Sequence, residues 1–140
     1  MSKKLIFTLI ILTIILSLPS CGKADYNNFE SKFMELYYAV IQNVDSKEVD
    51  DILKKLQSDE NAKNLDAMDK LLQVNKDLQK SYQKEYDEFR KLYIGLIDLK
   101  AAYGKWDSYD LDKQDYLNSQ LNYIYVYIAK LETEKKLKSK

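Results

Sequence analysis

From Tyr26 onward, apolar side chains return every three or four positions. Tyr26, Phe29, Phe33, Leu36, Tyr37, Val40, Ile41 and Val44 share one face of a helix, entered through Asp25, Asn27 or Asn28. Asp45 to Glu48 then has the order of a capping box, and Val49, Ile52, Leu53 and Leu56 form a second short stripe. This pattern leaves open whether the two stripes belong to one kinked arm or to two helices. The polar stretch from Gln57 to Asn64 is rich in helix-capping residues and predicts a first reversal of the chain. Beyond it, Met68, Leu71, Asn75, Leu78, Tyr82, Glu85, Phe89, Leu92, Leu96, Leu99 and Tyr103 keep a three-four alternation, which predicts one long helix interrupted only by polar Asn75 and Glu85.

Gly104 stands where a left-handed residue would close that helix. Gly95 within it costs about 1 kcal/mol against alanine, which leaves room for close backbone approach by a neighbour or a ligand. Lys105 to Asp110 predicts a second reversal, and Leu117, Leu121, Ile124, Ile128 and Leu131 mark a last helix from about Asp112 towards Lys136. With three glycines and one proline in the chain, turn-rich β architecture is disfavoured. The predicted fold is all-α, an antiparallel bundle of three long helical arms, with a break near Asp45 left open in the first.

The N-terminus has a different pattern. Two lysines precede an uncharged, mostly apolar run from Leu5 to Leu16, interrupted only by Thr8 and Thr13 and shorter than the roughly 20 residues of a spanning helix, and small residues follow it. This is the order of a secretory signal. Its end, Leu18, Pro19, Ser20, Cys21, resembles the lipobox of bacterial lipoproteins, with leucine three residues before the cysteine and a small residue directly before it. The resemblance covers residues 1–22 alone. It implies that residues 1–20 are removed, that Cys21 carries diacylglycerol, and that residues 21–25 form a tether to a bundle domain over 26–140. The expected location is the bacterial cell membrane or outer membrane, on a face outside the cytoplasm. The tether spans at most roughly 15–18 Å. Three arms would therefore place Trp106 near the membrane and the lysine-rich end away from it.

Charge and composition narrow the function. The chain balances 22 basic against 22 acidic residues, and without Lys3 and Lys4 it would stand at 20 against 22. Nucleic acid is not an expected partner, because phosphate binding needs a basic excess gathered on one face. No histidine is present, and Cys21 is the only cysteine. The commonest general base, the commonest metal ligand and any disulfide are thus missing from the bundle domain. Neither a cofactor nor catalytic residues are predicted. Asp107, Asp110, Asp112 and Asp115 crowd one turn but lack the glycine and ligand spacing of a calcium loop, and they suit helix capping.

Tyrosine is the most suggestive residue type. Tyr109, Tyr116 and Tyr123 lie at heptad spacing with Tyr127 just beyond, and Trp106 stands beside the second turn. Such rings suit partner or ligand contact, and they equally suit the boundary of a thin bundle, ring buried and hydroxyl wet. The expectation is a non-enzymatic, lipid-anchored envelope protein that binds another protein through a helical face, as a scaffold, inhibitor or assembly factor. The alternative is a binder of small ligands or glycans that uses the tyrosine stripe.

Overall fold

The computed structural model describes Lys23 and residues 25–138, with the side chain of Lys135 outside that description. Cys21, the apolar signal run and most of the tether lie outside the described residues. Five α-helices appear among the described residues: α1 over 25–43, α2 Val49–Lys55, α3 Asp59–Val74, α4 Gln83–Ala101 and α5 Leu111–Lys138. Two 3-10 turns, Lys76–Lys80 and Trp106–Ser108, join α3 to α4 and α4 to α5.

The protein is an all-α antiparallel bundle, as its hydrophobic pattern predicts, and its first arm does break at 44–48. The capping box expected there does not form. Ser46 Oγ, rather than the Asp45 side chain, accepts a hydrogen bond from a backbone amide, that of Glu48 (3.2 Å), and Glu48 makes no cap contact with its own side chain. Lys55 Nζ instead donates to the Asp45 carbonyl (3.2 Å), tying the break to the far end of α2. The first reversal is shorter than predicted. Ser58 Oγ accepts from Asn61 N (3.2 Å) and caps α3, so Asn61 and Asn64 already belong to the helix.

The middle arm is divided. Asn75 closes α3 by turning its Nδ2 back to the Leu71 carbonyl (2.8 Å), and the chain reverses through Lys76–Lys80 before entering α4 at Gln83. Two contacts show that α3 and α4 then run antiparallel. At one end the buried Tyr86 hydroxyl donates to the Leu72 carbonyl (2.6 Å), and at the other Gln57 Nε2 donates to the Lys100 carbonyl (2.8 Å). The four long helices α1, α3, α4 and α5 thus alternate in direction, and α2 closes one pole. Residue 25 lies at the opposite pole with the 75–82 turn, where the Tyr26 and Tyr82 rings stack at 4.4 Å.

The added reversal inverts the expected placement of the ends. α5 runs antiparallel to α4, as Asp98 meets Tyr116 and Gly95 meets Gln120, so its lysine-rich end shares a pole with residue 25. Trp106 lies at the pole closed by α2. The core is graded between the poles. Near residue 25 it is aromatic, with Phe29, Phe33 and Phe89 in ring contact at 4.9–6.1 Å across the parallel diagonal pair α1 and α4. Towards α2 it is mostly aliphatic, built by Val40, Ile41, Val44, Ile52, Leu53, Leu56, Leu96, Leu99 and Leu117. No helix among the described residues is long and apolar enough to cross a membrane.

Candidate functional site

The tyrosines of α5 and its approach do not share one environment. Tyr109 is half-buried against the core in the extended residue before α5. Tyr116 donates its hydroxyl to Asp98 Oδ2 (2.7 Å), with Lys113 Nζ 4.7 Å over its ring and 3.9 Å from the same carboxylate. Burial, together with that hydrogen bond to a carboxylate, pushes its pKa up to about 12. Tyr123 is 53% exposed and Tyr127 is half-buried, its ring 5.1 Å from Tyr37 and 6.1 Å from Tyr38. Tyr127 thus joins α5 to α1, while Tyr116 joins α5 to α4. The heptad spacing was real, but α5 crosses two neighbours and turns successive rings into different seams.

Trp106 belongs elsewhere. The 3-10 turn Trp106–Ser108 is pinned by Ser108 Oγ donating to the Lys105 carbonyl (2.6 Å) and by Gln114 Nε2 donating to the Trp106 carbonyl (3.2 Å). Gly104 precedes it with φ of +69°, the left-handed conformation expected for it. These contacts set Tyr103, Trp106 and Asp107 opposite Asp50 and Lys54 of α2, around a cleft of about 950 Å³. Its place beside the second turn singled out Trp106 in the sequence but not its companions as one site, because α2 and the 103–108 turn are brought together only by the bundle.

Asp110, from the acidic turn, caps α5: its Oδ1 accepts from Lys113 N (2.9 Å). Among the described residues, no three carboxylate, cysteine or histidine side chains gather as a metal site.

A second surface lies between α1 and α3. Leu36 on α1 and Ala67, Leu71 and Val74 on α3 line an open groove of about 460 Å³, rimmed by Lys32, Glu35 and Lys70. Val74 is 83% exposed. An aliphatic floor with charges only at its edges can receive the apolar face of a helix. Sequence reading counted Leu36 and Leu71 as core. The signal that they are not fully covered is Val74, which falls off the stripe of α3.

Among the described residues the fold thus presents a helical bundle with an aliphatic groove on one side and a polar, aromatic-lined cleft at one pole. No protein-family model, curated protein or solved structure matches the chain.

Proposed function

We propose that the protein is a lipid-anchored, non-enzymatic component of the bacterial envelope that binds another protein through a helical face. The anchor rests on the lipobox-like Leu18, Pro19, Ser20, Cys21 and on the closeness of α1 to it. The binding reading is carried by one observation, the aliphatic groove between α1 and α3 with Val74 exposed on its floor. A side chain such as valine gains about 1.5–3 kcal/mol when fully covered, so a groove of this kind favours an apolar partner surface. The absence of histidine and the single, lipid-bearing cysteine argue in the same direction.

In this arrangement the pole holding residue 25, the 75–82 turn and the end of α5 faces the membrane, and α2 with Trp106 points away. A photoreactive residue in place of Val74, in the acylated protein in its own membranes, should cross-link a defined protein, whereas one in place of Tyr123 should not. Equal labelling from both positions, or from neither, refutes the groove as the contact. Fatty-acid labelling that survives Cys21→Ser refutes the anchor.

A further inference from the structure

The cleft between α2 and the 103–108 turn carries a second binding site, of different chemistry from the α1–α3 groove. Its volume, about 950 Å³, lies within the range of about 300–1,000 Å³ typical of small-molecule sites. One wall, the 103–108 turn, is held in shape by the Ser108 and Gln114 side-chain hydrogen bonds to backbone carbonyls described above, and α2 supplies the other.

The charges in it balance. Asp51 is already paired with Lys55, Nζ to Oδ2 2.9 Å. The four other ionised side chains of the lining are Asp50, Asp107, Lys54 and Lys105, and none of them makes an ion pair or side-chain hydrogen bond among the described residues. Two acceptors and two donors thus face the cleft unengaged. Two aromatic rings face it with them, Tyr103, which is 46% exposed, and Trp106, which is half-buried.

This combination selects a ligand class. A strongly anionic ligand meets two carboxylates, and a strongly cationic one meets two amines. A purely apolar ligand would strip water from four charges without replacing its hydrogen bonds. A neutral carbohydrate satisfies all six groups, since its hydroxyls both donate and accept and its C–H face lies flat on an aromatic ring. We propose that the α2 and 103–108 cleft binds a neutral oligosaccharide, stacked on Tyr103 and Trp106 and bridged by its hydroxyls between the carboxylates of Asp50 and Asp107 and the amines of Lys54 and Lys105. The proposal is independent of the groove, and stands or falls without it.

Trp106 is the only tryptophan, so its emission reports on the cleft alone. The full chain in detergent is titrated with neutral tetrasaccharides of glucose in α and β linkage and of N-acetylglucosamine, with chitosan and galacturonate tetramers as cationic and anionic comparators. At least one neutral sugar should produce a saturable change with Kd at or below about 1 mM, the strength of a few net hydrogen bonds and one stacked ring. Tyr103→Ala and Asp50→Asn, each checked for an unchanged circular dichroism spectrum, should weaken it about tenfold, and Tyr123→Ala should not. The inference is overturned if no neutral sugar saturates the signal, if a charged comparator binds as tightly, or if Tyr103→Ala leaves the affinity unchanged.

Discussion

Asn61 is fully buried, and its side chain joins three helices. Its Oδ1 accepts from Asn43 Nδ2 on α1 (3.2 Å), and its Nδ2 donates to the carbonyl of Lys55, the last residue of α2 (2.9 Å). Asn61→Ala removes both bonds: Asn43 Nδ2 loses its acceptor, and the Lys55 carbonyl, one of the helix-end acceptors without an intrahelical partner, is left with the Ser58 amide alone (3.1 Å). At about 1 kcal/mol net for each bond, plus part of the desolvation cost of the abandoned groups, the loss should be about 2–3 kcal/mol. For a domain of this length the fall in Tm is on the order of 10 °C.

Asn61→Asp separates the two bonds. The introduced carboxyl can donate to the Lys55 carbonyl only when protonated. When ionised, it sets an acceptor against an acceptor in a site closed to water. The N-terminal turn of α3 favours a negative charge by about 0.3–1 kcal/mol, but burying an unpaired carboxylate costs several, so its folded pKa should rise above the unfolded value near 4. The folded state then holds the extra proton between the two pKa values, and stability must fall as pH rises through that window, by about 1.4 kcal/mol for each pH unit it spans. Urea unfolding followed by helical ellipticity from pH 3 to 8 measures it. A loss under about 0.5 kcal/mol for Asn61→Ala, or a stability of Asn61→Asp that climbs with pH relative to wild type, would refute the role assigned to Asn61.

Tyr86→Phe should cost about 1–2 kcal/mol in the same unfolding assay, because the Leu72 carbonyl at the end of α3 loses its buried donor. Gly95→Ala should be neutral or stabilising by up to about 0.5 kcal/mol. The added methyl meets only the end of the Gln120 side chain, which can swing outward, and the helix gains about 1 kcal/mol of propensity; a loss above 1 kcal/mol would show that Gln120 cannot move. At alkaline pH Tyr37, raised by burial, and Tyr116, at about 12, should ionise late by tyrosinate absorbance, and Tyr37→Phe or Tyr116→Phe should each remove part of that late change. Their folded pKa values exceed the unfolded value near 10, so their share of stability is complete below pH 10 and is lost as pH rises through the folded values.

The helical class, the left-handed Gly104 and the start of α5 were legible as local pattern. Each depends on residues near in sequence: a cap, a stripe, a glycine. The reversal at 75–82 was not legible. Both α3 and α4 turn a stripe to the same core, and the spacing from Leu71 through Leu78 and Tyr82 to Phe89 happens to preserve a helical period across the turn. Neither glycine nor proline marks it, and its only sign is Asn75, whose side chain closes α3 yet reads equally as a polar residue fixing register. Missing one reversal exchanges the poles, which is why Trp106 and the lysine-rich end were expected at opposite places. The different surroundings of the α5 tyrosines were not legible for another reason. Equal spacing places rings on one line of α5, but which neighbour each one meets depends on the crossing of α5 over α1 and α4, a property of the packed bundle.

Because the four long helices are joined by an odd number of reversals, the described chain starts and finishes at the same pole. Circular permutation follows naturally: a short linker from Lys138 to residue 25, with new ends opened between Leu56 and Ser58, would leave each buried layer intact. The same parity governs fusions. A cargo joined after α5 would emerge beside the N-terminal segment, crowding whatever holds that pole, whereas one inserted within 103–110 would be displayed at the other pole, directly over the cleft.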